Sequence, residues 1–334
     1  MVSRVPNLEI IMNLLKPIGV KLNNFTNQPF IMNPYRFKII PYVPTDKTRG
    51  IIAGGEASGT TNVIEYITIA STSGSSDFGD LTTARMGLAG VGSDLRGVFG
   101  GGYMSGGVGS VNIVDYVTID TTGNASDFGD LSLARHYVAG VSSYVRGVFA
   151  GGDGGGNSDV IDYITIATTG NATDFGDLST GKAGMGSVSD KLLNGLTRGV
   201  FAGSYAYDNV MEYITISTTG NATDFGDLTV ARSTSCGTNS DVRGVFGGGY
   251  IGGSGDTNTI DYITIDTTGN ASDFGDLIVG NQTQAGMSST TRGVMAGGHD
   301  GGKTENIGYI TIANTGNEQN FGDLSVAKNN CGGV

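Results

Sequence analysis

Residues 146–178 read RGVFAGGDGGGNSDVIDYITIATTGNATDFGDL, and close copies of this stretch fill the chain from residue 48 onward. An Arg-Gly pair recurs at Arg49, Arg96, Arg146, Arg198, Arg243 and Arg292, at steps of 47, 50, 52, 45 and 49 residues. A Tyr follows at 66, 116, 163, 213, 262 and 309, and a Phe-Gly-Asp-Leu begins 12 residues after each Tyr. Six repeats of this length mark an array of supersecondary units. Each reads as four short strands: a small-residue segment before Arg-Gly, the Arg-Gly segment itself, the Tyr-Ile-Thr-Ile run, and the segment carrying Asp-Phe-Gly-Asp-Leu. Thr-Thr-Gly-Asn joins strands 3 and 4, and its Gly and Asn are expected to supply positive φ. Strand 3 is apolar on both faces, so each sheet is expected to be covered on both sides by its neighbours. Four-stranded sheets of this size, packed on copies of themselves, form an all-β, six-bladed β-propeller.

Composition agrees with that reading. The chain has 334 residues, with 58 Gly, 6 Pro and no Trp. All six prolines lie before residue 48, whereas every glycine except Gly19 lies after it. Collagen and low-complexity disorder are excluded by a Pro-free body with regular apolar runs. Residues 1–47 carry a net charge of +4 and the remainder −16, out of −12 for the chain. Two domains are therefore expected: an extended basic arm over 1–47 and the propeller over 48–334. No apolar run reaches the roughly 18 residues of a membrane span, and no signal peptide is read at the N-terminus. The acidic body disfavours nucleic acid and membrane insertion.

The first repeat begins directly at strand 2, and the C-terminal segment from Ala327 to Val334 is an orphan strand 1. Pairing the two closes the first blade and the ring, and removes two sheet edges. Diglycine after strand 2 (Gly101-Gly102, Gly151-Gly152), the Tyr of strand 3, the aromatic of strand 4 and a basic residue beyond it (Arg85, Arg135, Lys182, Arg232, Lys328) together resemble the kelch repeat. The resemblance covers residues 48–334, with Phe where kelch blades carry Trp and with Gly203-Ser204 breaking one diglycine. The Tyr-Ile-Thr-Ile and Thr-Gly-Asn-Ala-Thr-Asp-Phe-Gly-Asp-Leu units also look like repeats of marine bacteriophage structural and fibre proteins.

Chemistry-bearing motifs are few. Gly297 to Thr304 match G-x-x-x-x-G-K-[ST], but a strand is expected next where a phosphate loop requires a helix. The recurring Asp-Phe-Gly is read as architecture: its Phe fills the inter-blade core, and the next Asp, as in Asp80, caps amides or pairs with a repeated Arg such as Arg49. Asn124, Asn171, Asn221 and Asn270 match a glycosylation acceptor but are read as turn residues. Cys236 and Cys331 fall in strand 1 of different blades, too far apart to bridge. A copper oxidase of the galactose oxidase type needs a Tyr/His cluster that two histidines do not assemble. No enzyme activity, metal or cofactor is expected.

Copies differ most in the strand 2–3 loops, which should share a rim with the strand 4–1 connectors. A ligand-facing set is expected there: Tyr103, Asp153, Tyr205, Tyr207, Asp208, Tyr250, His299 and Lys303 from the loops, with Arg85, Arg135, His136 and Arg232 from the connectors. Tyr and Arg with Gly, Ser and Asn spacers suit recognition. Phe25, Phe30, Tyr35, Phe37 and Tyr42 of the arm are expected to anchor it. The opposite rim should carry the arm and a Leu-rich insertion at 190–196. Together with these features, the resemblance to bacteriophage structural and fibre proteins implies a non-enzymatic virion protein of a bacteriophage: fibre, tail or head-surface. Its arm would bind other virion proteins, and its rim a host cell-surface glycan or protein. The alternatives are a cytoplasmic kelch-type adaptor and, less favoured by the residues, a propeller hydrolase or oxidase.

Overall fold

A computed structural model describes residues 49–190 and 197–334. The arm residues and residues 191–196 of the Leu-rich insertion therefore lie outside the described residues. Six four-stranded antiparallel sheets follow one another along the chain. In blade 2 the strands are Ala89–Gly92, Arg96–Gly100, Ile113–Thr118 and Ser126–Asp130, and the other blades repeat this order. In blade 1 the innermost strand is Gly332–Gly333, paired with Ile52 and Ala53 of the strand Arg49–Ala53. Val334 and Ile51 exchange two backbone hydrogen bonds of 2.8 and 3.0 Å beyond that pairing. Inner strands of consecutive blades touch all the way round, with Gly332–Gly333 between those of blades 6 and 2. The ring is a closed six-bladed propeller, sealed by the C-terminal strand as the sequence implied.

The core lies between blades. One cluster joins Ile51, Ile64, Phe78 and Leu81 of blade 1 to Leu88, Phe99, Val117 and Ile119 of blade 2, and five more repeat the pattern. Strand 4 pairs with strand 3 through a bulge at Ile64/Glu65 in blade 1 and at the same point in every blade. Gly79 lies in this bulge at φ 145°, and a Cβ there would sit 2.5 Å from the backbone of Gly123 in the next blade. That contact is a seam: Gly123 N donates to Phe78 O and Ala125 N to Asp80 O, each at 2.7 Å.

The seam corrects two expectations. Asn124 does not have positive φ; its Oδ1 accepts from Asp80 N at 3.1 Å across the blade boundary. Asn171, Asn221, Asn270 and Asn317 repeat the clamp. Arg49 does not pair with Asp80. Its guanidinium lies 4.7 Å from the Tyr66 ring centre, Tyr66 meets Phe78 edge-on, and Nη1 donates to Ile119 O of the next blade. All six Arg-Gly arginines make the equivalent stack and the equivalent bond to the next blade, ending with Arg292 to Ile69 O. Cation–π geometry satisfies an arginine whose fork also caps a carbonyl.

Candidate binding rim and channel mouth

Each strand 2–3 loop is fastened to the connector entering the same blade. Met86 bridges Tyr103, His136 bridges Asp153, Ser233 bridges Tyr250, Gln282 bridges His299, and Asn329 bridges Glu56. In blade 4, Tyr205 N donates to Ala183 O at 3.0 Å. The expected loop residues are thereby gathered on one rim. Tyr103, His136, Tyr137 and Tyr205 form a run of touching rings, with centroids 5.3, 4.6 and 5.2 Å apart in that order. Tyr207 and Tyr250 form a second pair at 5.8 Å.

His136 is held by Asp153 O, 2.8 Å from Nδ1. A carbonyl only accepts, so Nδ1 is the donor of this bond. Asp153 Oδ1 accepts from Gly155 N and Gly156 N at 2.8 and 2.9 Å, and these bonds hold its carboxyl below the usual range. Burial raises the phenols of Tyr137 and Tyr205, which are hydrogen-bonded to each other, above the ordinary tyrosine value. Asp208 accepts from Ser204 Oγ at 2.8 Å. Lys303 pairs with Glu56 at 3.1 Å and donates to Ala57 O, lacing the loops of blades 6 and 1. The strand Asn306–Thr311 follows Lys303, so the glycine-rich segment lacks the helix of a phosphate loop. His299 Nδ1 lies 3.6 Å from Asp256.

Three expected rim residues are misplaced. Arg85, Arg135 and Arg232 are fully buried and pair with Asp115, Asp162 and Asp261 at 2.7, 2.7 and 2.9 Å. Lys182 with Glu212 and Lys328 with Glu65 complete the set at 3.3 and 2.6 Å. In each, the cation of a connector meets the acid one residue before the strand 3 Tyr of the blade it enters. Both charges leave water only because each satisfies the other, so neither is free for a ligand. At Glu65, burial raises the carboxyl, but the Lys328 ammonium and hydrogen bonds from Lys328, Ser325 and Ser75 outweigh it and the net shift is downward.

The sixth seam lacks both partners. Asn281 replaces the cation and Gly308 the acid. A Cβ on Gly308 would run into Glu318 Oε1, so the Glu318 side chain fills the vacated space. It accepts from Ile278 N at 3.0 Å, as Asp115 accepts from Thr82 N in the ordinary seam. Without a cation beside it, burial pushes the Glu318 carboxyl up.

Inside the rim lies a feature that composition did not reveal. The connectors pass the axis at Gly87, Tyr137, Gly184, Thr234, Thr283 and Asn330, all with φ between 53° and 67°. Each donates its N–H to the carbonyl of the equivalent residue one blade back, from Gly87 N to Asn330 O round to Asn330 N to Thr283 O, at 2.6 to 3.1 Å. This closed ring of six hydrogen bonds frames the channel mouth and holds residues other than glycine in a conformation they disfavour. The mouth encloses about 90 Å³ and leads to an axial cavity of about 210 Å³. Below, the strand-1 positions nearest the axis are Gly90, Gly140, Ser187, Gly237, Gly286 and Gly333, where a Cβ on Gly90 would run into Gly333 O. Thr234, Ser235, Thr283, Gln284 and Asn330, which line the mouth, escaped the sequence reading. The available signal was their fixed offset, two or three residues after the basic connector position. No protein-family model matches this chain, and neither does any curated protein.

Proposed function

We propose that this chain is a non-enzymatic recognition module of a bacteriophage virion. Its arm would bind other virion proteins, and its strand 2–3 rim would contact the host surface. One observation carries the reading: all six copies keep the arginine stack and its bond to the next blade while their strand 2–3 loops diverge in length and chemistry on a single rim. A scaffold that repeats its packing and varies most at one edge suits a surface selected for what it touches. The rim supplies partly exposed rings at Tyr103, His136 and Tyr250 and an exposed one at Tyr207, with Asp153 and Asp208 between them. Aromatic faces with polar neighbours suit a glycan or protein surface. The repeats' resemblance to kelch units and to bacteriophage structural proteins supports the setting. The +4 charge and apolar residues of 1–47 support an anchoring role for that segment.

The test is mass spectrometry of purified particles from a phage encoding this chain, intact or lacking residues 1–47. The intact chain is expected in particles and the truncated chain is expected to be absent. Failure to find the intact chain, or normal incorporation of the truncated one, would overturn the proposal.

A further inference from the structure

We infer that the strand 2–3 rim docks a basic protein segment, whose arginine or lysine side chains lie across its aromatic rings. The inference deepens the recognition reading by naming the partner's chemistry at the same rim, and rests on that reading only for where the partner comes from. Six rings cross the rim. Tyr103, His136, Tyr137 and Tyr205 touch in turn from the loop of blade 2 to the loop of blade 4, and Tyr207 and Tyr250 join blade 4 to blade 5. All six are partly exposed, and Tyr207, at 46%, is the most open. The fold does not demand rings in these loops: the backbone bridge that Tyr103 and Tyr250 make to a connector is made equally by Glu56, Asp153 and His299 in other blades.

Charge selects the partner. The six strand 2–3 loops carry seven acidic residues, Glu56, Asp153, Asp208 and Asp256 among them, against Lys303 alone, a balance of −6. The five connector cations on this rim do not offset it, since each is buried against its own strand 3 acid. Lys303 is itself paired with Glu56. The carboxylates stand beside the rings: Asp256 forms a backbone bridge with Tyr250, Asp208 follows Tyr207, and the charge of Asp153 acts on the Tyr137 and Tyr205 phenols. A partner can reach them, with 28% of the Asp208 side chain and 16% of the Asp256 side chain exposed.

A ring face and a carboxylate within reach of one side chain are the two groups that hold a guanidinium or an ammonium. The belt between blades already uses the first, since six arginines stack over six tyrosines within the fold. An anionic partner would meet like charge with no cation to answer it, and a neutral partner would gain nothing from the excess. A basic segment laid along the arc of rings from blade 2 to blade 5 uses both.

Fluorescence anisotropy of labelled peptides titrated with the full chain tests this. The probes are short peptides repeating Arg-Ser-Gly, Gln-Ser-Gly or Glu-Ser-Gly. Only the arginine peptide should bind, and its affinity should fall as sodium chloride rises from about 50 to about 300 mM. Asp153→Asn/Asp208→Asn/Asp256→Asn should weaken it about tenfold or more, the sum of three exposed ion pairs. Asp77→Asn/Asp127→Asn/Asp174→Asn makes the same change of charge at exposed strand 4 positions and should leave affinity within about twofold, because distant exposed charges are screened. Tyr207→Ala/Tyr250→Ala should weaken binding about fivefold or more through two lost cation–π contacts, with a melting temperature close to the parent's. Equal binding of the glutamine peptide, equal weakening by the two aspartate triples, or no effect of the tyrosine pair would overturn the inference. A neutral methyl glycoside bound at these tyrosines, with no arginine peptide bound, would assign the rim to a glycan and overturn it too. A chain missing from particles would leave binding of the arginine peptide standing, and a chain present in particles would not rescue its absence.

Discussion

The belt between blades and the ring at the channel mouth are built on opposite rules. In the belt, residue identity repeats: Arg over Tyr, Tyr against Phe and Asn clamped to the preceding blade recur because each copy meets the same neighbour. At the mouth, backbone conformation repeats while identity changes from Gly to Tyr, Thr and Asn. Positions that hold the blades together are thereby separated from positions where the side chain is free to change. The seam between blades 5 and 6 shows how far the belt itself can vary: cation and acid disappear together, and Glu318 takes over the amide that the acid would have bound.

The belt should fail most severely where it is closed. Deleting residues 329–334 removes the inner strand of blade 1 and should give the largest fall in melting temperature of any change considered; a chain melting as the full-length protein does would refute closure. Next come single belt residues. Phe78→Ala and Phe225→Ala should each cost about 3–5 kcal/mol in denaturant unfolding, and by similar amounts, since each phenylalanine is 2% exposed between equivalent neighbours. Arg85→Ala should cost about 3–5 kcal/mol by stranding Asp115, whereas Asn281→Ala in the sixth seam should cost about 1–2 kcal/mol, the scale of a neutral hydrogen bond. Equal losses would erase the distinction between the two seams.

Smaller changes sharpen the sixth seam. Gly308→Asp should destabilise by about 1–3 kcal/mol through collision with Glu318, and Glu318→Ala should recover most of that loss. The two buried glutamates should also respond oppositely to acid. Glu65 is depressed in the fold, so its stabilisation is present above its unfolded pKa and is lost as pH falls through the lower folded value. Glu318 is raised, so its cost is full above the folded pKa and is relieved as pH falls toward the unfolded value. Urea midpoints followed from pH 7 to 3 should therefore show Glu318→Gln removing a gain on mild acidification and Glu65→Gln removing a loss at lower pH.

The blades, their order and their closure were legible because local spacing carries them: Arg-Gly, Tyr and Phe-Gly-Asp-Leu each mark a strand, and the orphan strands at the two ends complete one another. The connector arginines were misread because a charge beside a loop can face solvent or the next blade. Arg85 finds its partner in Asp115, thirty positions away, only once the connector has folded onto the blade it enters. The asparagines looked like turn residues, since their bond to Asp80 N and its equivalents crosses a seam. The mouth was illegible because Thr234 and Thr283 are not residues that announce positive φ. Their conformation follows from a six-membered hydrogen-bond ring that exists only in the closed propeller.

The most direct test of a belt that repeats residues and a mouth that repeats only backbone is a crystal structure of the full chain. The account predicts the closed ring of six hydrogen bonds through Gly87, Tyr137, Gly184, Thr234, Thr283 and Asn330, with Gly332–Gly333 paired to Ile52 and Ala53. An open ring at the mouth, or a C-terminal strand lying away from blade 1, would contradict it.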